Sequence, residues 1–180
     1  EAHNLGFEAI EISDGSTTIP HETKLECIQN AVDNGFEVLS EVGKKNPVLD
    51  KELTIDERIS YMQAELDAGS SLVIVEAREG GKNIGIFDKQ GNAKEDEIDI
   101  ILDNVDSQKI LWEAPNKDQQ VFFILKLGNT VNLGNNLKDN TINVPIPSPE
   151  KDKEEIYTAN MIMVGDALIH DRLYNDAYNG

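Results

Sequence analysis

The chain has little cysteine, little basic charge and no long apolar run. Its 180 residues include one cysteine, Cys27, which excludes a disulfide within the chain and fits a reducing compartment. The 16 lysine and arginine residues stand against 34 acidic residues, and the formal charge of −18 disfavours nucleic acid and anionic membranes as partners. No apolar stretch reaches the ~18 residues that a membrane span requires. We therefore predict a cytoplasmic protein that binds neither nucleic acid nor membrane.

Several catalytic signatures are also missing. No Gly-x-Gly-x-x-Gly follows a predicted strand, no Walker loop is present and no serine-centred elbow appears. The two early histidines, His3 and His21, show no metal-ligand spacing and are predicted to lie on the surface. Cys27 falls in a helical pattern, which predicts a buried or half-buried position for it.

The most informative feature is a repeated pattern in which a short apolar run ends in a glutamate and then enters a polar or glycine-containing loop. Steps of 30, 35 and 37 residues separate these glutamates, about the length of one strand–helix unit. The carboxyl ends of parallel strands meet at one rim, where open α/β sheets and (β/α) barrels hold their chemistry. The pattern predicts a parallel α/β fold with four acids at that rim: Glu11, Glu41, Glu76 and Glu113.

Alternation and helical periodicity predict about five β–α units. The strands are predicted at residues 7–13, 36–42, 71–77, 109–113 and 130–133. Four apolar stripes predict the helices: Leu25, Ile28 and Val32 after Pro20; Ile55, Ile59, Met62 and Leu66; Ile98, Ile101, Leu102 and Val105; and Val121, Phe122, Ile124 and Leu125 within 118–127. Thr54 and Glu57 form a capping box that opens the second helix. A loop is predicted around Pro47, and another at 78–94 with a small hairpin at 84–87.

Carboxylates that meet at a rim repel one another unless a cation or a lysine joins them. Mg²⁺ suits such oxygen ligands, because it binds carboxylates while keeping water and substrate oxygens. Any single strand-end acid could equally be solvated or cap the next helix. Four acids in a regular series favour a cation-assisted site for a carboxylate- or phosphate-bearing ligand. Basic residues follow three of the acids closely in the chain: Lys44 and Lys45, Arg78, and Lys117.

Five short motifs occur in the order and spacing of the phosphosulfolactate synthase family, which the chain closely resembles over residues 1–135. They are Glu-Ile-Ser-Asp-Gly at 11–15, Glu-Val-Gly-Lys-Lys at 41–45, Val-Glu-Ala-Arg-Glu-Gly at 75–80, Glu-Ala-Pro at 113–115 with Gln119 and Gln120, and Val-Asn-Leu-Gly-Asn at 131–135. The resemblance implies a TIM-type barrel and the Mg²⁺-assisted addition of sulfite to phosphoenolpyruvate, a first step toward coenzyme M.

The resemblance also implies roles for residues of the predicted rim. A lysine of Glu-Val-Gly-Lys-Lys would protonate the Mg²⁺-stabilised enolate after sulfite addition; we favour Lys44, with Lys45 as the alternative. Glu11 would join the lysine in catalysis. The metal would be bound by Glu41, Glu76 and Glu113. The substrate would contact four further residues: Ser13, Arg78, Gln120 and Asn132.

Family members carry about three further β–α units before the part that this chain resembles. Five units cannot close an eight-stranded barrel, so we expect a fragment, two copies that complement each other, or an open sheet. We expect a homo-oligomer, and little or no activity from the 180-residue form. The alternative to a synthase is a non-catalytic homologue or truncated remnant with a stress-related or structural role.

A change in composition after the fifth strand divides the chain into three predicted parts: a barrel-like part at 1–140, a linker at 141–159 and a tail at 160–180. Prolines and a charged run leave the linker little to bury. Residues 161–170 resemble the opening strand of the CapA-like capsule-synthesis metallophosphatase family, in which Asp166 would be a metal ligand with His170 nearby. Too little of that family is present for phosphatase activity, and a terminal strand or a disordered tail is an equal alternative.

Overall fold

Five parallel strands form one sheet, and their order along the chain is also their order in space. The computed structural model describes residues 2–15, 17, 19–77 and 80–134. Within them each strand pairs in parallel with the next. The predicted parallel order of five neighbouring strands is therefore confirmed. The strands are β1 (Ala9–Ser13), β2 (Glu37–Val42), β3 (Leu72–Val75), β4 (Ile110–Glu113) and β5 (Asn132–Gly134).

Helices alternate with these strands: α1 (His21–Asp33), α2 (Pro47–Asp50), α3 (Ile55–Asp67), α4 (Glu95–Asn104) and α5 (Lys117–Leu127). The predicted capping box opens α3, because Thr54 Oγ1 accepts from the Glu57 backbone N–H at 3.2 Å and Glu57 Oε2 accepts from the Thr54 N–H at 2.9 Å. The short helix α2 stands where a loop was predicted. Proline fits the first turn of a helix, and the Asn46 side chain caps this one by accepting from Val48 N–H.

One face of the sheet carries the main apolar core. Side chains of β3 and β4, among them Val75 and Trp112, form this core with residues of α3, α4 and α5. The fully buried Trp112 ring stacks on Phe123 of α5, with the ring centroids 4.7 Å apart. A smaller cluster joins β1 and β2 to α1 around Ile28. Because side chains alternate along a strand, the remaining residues of each strand point to the opposite face.

The opposite face is apolar near its middle and acidic at its carboxyl end. Its apolar cluster consists of Leu39, Ile74 and Leu111, one residue from each of the three central strands. Two residues further along the chain from each of these stands an acid: Glu41, Glu76 and Glu113. The two-residue alternation of an extended chain therefore puts all three acids on the face of the cluster.

Two predictions of burial are wrong. Cys27, predicted to be buried or half-buried, is exposed, and Leu125, predicted on the buried face of the fourth helix, is 56% exposed. Apolar periodicity misplaced the buried stripes because each of them includes long polar side chains, and those side chains find hydrogen-bond partners inside the protein. The buried stripes are Lys24, Ile28 and Ala31 in α1, and Gln119, Gln120, Phe123 and Ile124 in α5.

The segment between β3 and α4 is a loop, as predicted. The expected hairpin is reduced to isolated antiparallel bridges that join Ile84 to Phe87 and Phe87 to Ala93. In the described part of the chain, no helix combines the length and the apolar character that a membrane crossing requires. Four predicted features lie outside the described residues: Arg78, the linker at 141–159, and Asp166 and His170 in the tail at 160–180.

Candidate functional site

Three carboxylates meet at the carboxyl end of the sheet. Glu41 lies in β2, Glu76 follows β3 directly, and Glu113 ends β4. One carboxylate oxygen from each lies within 4.8 Å of the others. Glu41 and Glu76 are 3% and 1% exposed, and Glu113 is half-buried. Carboxylates this close repel one another unless a cation joins them, so the cluster has the donor set of a hard divalent cation.

Glu11 stands apart from this group. The strand β1 pairs Ser13 with Glu41, so Glu11 lies two residues, about 7 Å, behind Glu41 along the same face. Glu41 in turn pairs with Ile74, two residues behind Glu76. Of the four acids predicted at one rim, Glu41, Glu76 and Glu113 converge there, whereas Glu11 lies further back, because spacing along the chain does not determine the stagger between neighbouring parallel strands.

Hydrogen bonds orient the carboxylates of Glu41 and Glu113. The Ser13 hydroxyl donates to Glu41 Oε1 at 2.5 Å. The backbone N–H of Ala77 donates to Glu113 Oε2 at 2.8 Å. Glu41 is thus held by the neighbouring strand β1, and Glu113 is held by the segment that follows the neighbouring strand β3. These bonds fix the direction of each carboxylate before any ligand binds.

Two glycines with left-handed backbone conformations enclose Glu76. A Cβ atom at Gly43, where φ is +136°, would lie 2.7 Å from Glu76 Cβ. A Cβ atom at Gly85, where φ is +51°, would lie 2.5 Å from the Glu76 carbonyl oxygen. A side chain at either position would clash, so glycine is what allows the segments after β2 and β3 to pass this close to the acid.

Lys44, one of the two candidate proton donors, is anchored by its side chain and by its backbone. Its Nζ forms an ion pair with Asp14 Oδ2 and donates to the Asp14 carbonyl oxygen at 3.4 Å. Its backbone N–H donates to Asp50 Oδ1 at 2.9 Å. Burial by itself raises the pKa of Asp14, but hydrogen bonds and charges from Lys44 and Lys24 outweigh it and hold that pKa below its usual value. Asp14 is therefore ionised at neutral pH and holds the Lys44 ammonium.

Lys45 and Gln120 are placed differently. A Cβ atom at Gly15 would lie 2.8 Å from Glu41 Oε1 and 3.2 Å from Lys45 Cγ, so Gly15 lies against both the Glu41 carboxylate and the Lys45 side chain. Gln120 is fully buried, and its Nε2 donates to the Ala114 carbonyl oxygen at 2.7 Å. This contact stabilises the segment between β4 and α5.

Asn132 lies toward the other end of the strands. Its Nδ2 donates to the carbonyl oxygens of Gln108 at 3.1 Å and Ile110 at 3.2 Å, which come before β4 and at its first residue. Glu113 is the last residue of the same strand. The structure therefore does not bring Asn132 together with the three acids.

Asp50 joins the two segments around Glu76, although no sequence pattern marked it as part of the site. Asp50 of α2 is 4% exposed. Its Oδ1 accepts from Lys44 N–H and from Arg58 Nη2, the latter at 3.0 Å, and its Oδ2 accepts from Gly85 N–H at 2.7 Å. One carboxylate thus holds the segment after β2, the segment after β3 and the helix α3 in a fixed relation.

Two buried cations were missed as well. Lys24 in α1 is 1% exposed and pairs with Asp14, and Arg58 in α3 is 4% exposed and pairs with Asp50. The spacing of both residues along their helices could have predicted their burial. Lys24 precedes Ile28 by four residues and Arg58 precedes Met62 by four residues, so each shares a helix face with a residue of an apolar stripe.

The comparisons with known proteins point to the same family as the motifs. The sequence profile of the (2R)-phospho-3-sulfolactate synthase (ComA) family matches residues 1–144. The phosphosulfolactate synthase of Methanocaldococcus jannaschii is 55% identical over 144 residues, which are 80% of this chain and 57% of that protein. The one of Methanothermobacter thermautotrophicus is 54% identical over 135 residues, 75% of this chain and 52% of that protein.

A bacterial relative is more distant. The phosphosulfolactate synthase of Bacillus subtilis is 39% identical over 132 residues, which are 73% of this chain and 52% of that protein. The chain thus spans about half the length of the curated relatives it matches.

Proposed function

The chain belongs to the (2R)-phospho-3-sulfolactate synthase family, and on this premise we propose that it joins sulfite to phosphoenolpyruvate. In this proposal the carboxylate cluster of Glu41, Glu76 and Glu113 binds both Mg²⁺ and phosphoenolpyruvate. The family and the five parallel strands together establish the α/β fold of (β/α) TIM-barrel type, with about five units present. One observation supports the proposed chemistry most: three carboxylates converge at the carboxyl end of the sheet. The reaction would be cytoplasmic and would use small-molecule substrates.

The proposed metal ligands are Glu41, Glu76 and Glu113. All three offer oxygen, which is the donor that Mg²⁺ prefers. Their oxygens lie within 4.8 Å of one another, and neighbouring ligands of an octahedral Mg²⁺ lie roughly 3 Å apart, so rotations of the side chains would bring the oxygens closer when the cation binds. Three carboxylates leave further positions for water and for substrate oxygens. When bound, the cation supplies positive charge that stabilises negative charge developing on the substrate.

The proposed reaction is an addition across the C=C bond of phosphoenolpyruvate. A lone pair of the sulfite sulfur forms the new C–S bond at the methylene carbon, and the π electrons move to the neighbouring carbon and its carboxylate. A proton delivered to that carbon completes phosphosulfolactate. One bond to sulfur and one bond to hydrogen replace the π bond, so the step needs no oxidant, no reductant and no leaving group.

Lys44 is the proposed proton donor, with Lys45 as the alternative. Asp14 holds the Lys44 ammonium, whereas the Lys45 side chain lies against Gly15. Glu11, about 7 Å behind Glu41, is proposed to act through the charge of the site rather than by contact with the reacting atoms.

The observations that support the four proposed substrate-binding residues differ from one residue to the next. Ser13 bonds to Glu41 and would contact a ligand held there. Arg78 follows the strand-end acid in sequence, and its charge suits the phosphate or carboxylate of the substrate. Gln120 would act through the loop that it supports. The position of Asn132 offers no support for direct contact at the carboxylate cluster.

The test is product formation from sulfite and phosphoenolpyruvate with Mg²⁺ by a form in which the family's preceding β–α units are restored, together with calorimetric titration of Mg²⁺ in the presence of phosphoenolpyruvate. We expect Lys44→Ala to lower kcat by about 10²-fold or more while KM changes little, because a proton donor acts mainly in the transition state. Lys126→Ala is the matched control, since Lys126 pairs with Asp99 on the helix surface. Loss of kcat in Lys45→Ala alone would make Lys45 the donor.

The outcomes separate the two functional classes. Mg²⁺ binding without product would favour the alternative, a non-catalytic homologue that keeps the ligand site. Full activity in both lysine variants would remove lysine from the mechanism. A folded sample that shows neither Mg²⁺ heat nor product would overturn the metal site and the synthase together.

A further inference from the structure

All three hydrogen-bond donors of the Lys24 ammonium group have acceptors inside the protein. Its Nζ lies 2.7 Å from Glu65 Oε1, 2.5 Å from the Glu41 carbonyl oxygen and 3.1 Å from Asp14 Oδ1. An ammonium has three donors, and three acceptors are in reach. Burying a lysine at 1% exposure is unfavourable unless its charge and its donors are all matched, so this arrangement fixes the group in one place.

Two of the three partners belong to the candidate site. The second oxygen of the Asp14 carboxylate holds the Lys44 ammonium, so Lys24 and Lys44 share one carboxylate. The carbonyl that Lys24 contacts is the backbone of Glu41, one of the three converging acids. A single side chain from α1 thus contacts both the carboxylate that holds the candidate proton donor and the backbone of a candidate metal ligand.

We propose that Lys24 is a positioning residue of the site, which orients the Asp14 carboxylate for Lys44 and fixes the backbone of Glu41. The inference rests on the proposed function for its catalytic consequence, but its structural content can be tested without turnover. Lys24 touches neither the substrate nor the reacting atoms. It acts through the residues that do.

The competing explanation is a clamp between two helices. The third partner of Lys24, Glu65, lies in α3 and is fully buried, and its Oε1 also lies 3.3 Å from His21 Nε2. Its Oε2 has no hydrogen-bond partner among the described residues. If Lys24 only joined α1 to α3, removing Glu65 and removing Lys24 would affect Lys44 alike.

The experiment compares the double variant Lys24→Met/Glu65→Gln with Glu65→Gln alone in the 180-residue chain. The double variant removes both charges of the buried pair, which avoids leaving one charge unpaired. Nuclear magnetic resonance of the Lys44 ammonium and of the Asp14 carboxyl group is the first readout. We expect the Lys44 side chain to become conformationally averaged and the pKa of Asp14 to rise in the double variant, with both retained in Glu65→Gln. An unchanged Lys44, or equal changes in both variants, would overturn the proposal.

Kinetics give the second readout. The double variant is expected to lower kcat by about 10- to 100-fold with KM for phosphoenolpyruvate within about 3-fold, because a misplaced catalytic group weakens the transition state more than substrate binding. Lys126→Met is the control for loss of a lysine. If a form with the family's preceding β–α units restored has no turnover, the proposed function fails, and the resonance comparison in the 180-residue chain still decides the role of Lys24. If the double variant does not fold, Lys24→Gln/Glu65→Gln keeps an amide donor near Glu41 and is compared in the same way.

Discussion

Ser13 and Glu41 are register partners on adjacent strands, and the Ser13 hydroxyl donates to Glu41 Oε1 at 2.5 Å. The bond makes β1 part of the acid cluster although Glu11, the acid of that strand, lies further back. A hydroxyl on the neighbouring strand thus orients a candidate metal ligand, and its removal tests how far the site is organised before ligands bind.

Ser13→Ala is expected to lower Mg²⁺ affinity about tenfold, because groups that hydrogen-bond metal ligands typically contribute 10- to 100-fold. Calorimetry with phosphoenolpyruvate present measures the affinity. Ser71→Ala is the matched control, since Ser71 Oγ donates to the Val38 carbonyl oxygen at 2.9 Å at the other end of the sheet. Equal losses of affinity in the two variants would contradict the prediction.

Asp50→Asn is expected to lower the free energy of unfolding by about 3 kcal/mol, the usual cost of breaking a buried ion pair. An amide keeps one acceptor oxygen and turns its NH₂ group toward a donor at the other position, which is either the Gly85 N–H or the Lys44 N–H. Urea unfolding measures the loss, and faster hydrogen exchange at those two amides would locate it. Asp106→Asn is the control, because Asp106 only caps a short turn by accepting from Gln108 N–H and asparagine caps equally well. Similar losses of unfolding free energy in both variants would contradict the prediction.

Gly43→Ala is expected to destabilise the protein more than Gly6→Ala. Both glycines have positive φ, +136° and +85°, so both variants carry backbone strain of about 1–2 kcal/mol. At Gly6 a Cβ would meet nothing within 4 Å, whereas at Gly43 it would lie 2.7 Å from Glu76 Cβ. Thermal unfolding compares the two variants, and the Mg²⁺ affinity should fall only in Gly43→Ala. Equal shifts in melting temperature would rule out the close approach to Glu76.

The lowered pKa of Asp14 predicts a loss of stability in acid. Since the folded-state pKa lies below the unfolded-state value near about 3.9, the ionised carboxylate stabilises the fold above that value, and this contribution is lost as the pH falls through the folded-state pKa. Urea unfolding of the wild type and of Asp14→Asn from about pH 7 to about pH 2.5 tests it. The difference between the two should be constant near neutrality and should shrink below about pH 4. A difference that does not change with pH would contradict the prediction.

The chain is predicted to form a homo-oligomer. In the part that the structure describes, β1 and β5 are edge strands with one paired side each, and unpaired edges favour association. Light scattering should give a mass that is a multiple of 20.0 kDa. Phe7→Lys, at a 41% exposed residue just before β1, should weaken the association, while Leu125→Lys on α5, at 56% exposure, should not. A monomer at all concentrations would refute it.

Much of the fold could be predicted because it depends on local patterns. Period-two runs marked the strands, and the interval between them set a parallel order that the structure confirms. The capping box of Thr54 and Glu57 marked the start of α3 within one residue. Apolar periodicity did not predict the buried face of α5, because two polar residues, Gln119 and Gln120, occupy buried positions there.

The sequence by itself determined which acids share a face, since Glu41, Glu76 and Glu113 each follow a buried apolar residue by two positions. Only the tertiary structure decided their relative heights and placed Glu11 behind them, because the stagger of parallel strands depends on how the whole sheet packs. It also decided the partners of Lys24, Asp14 and Asp50. Those contacts join residues distant in the chain, and a charge becomes buried only where folding brings its counter-charge within reach.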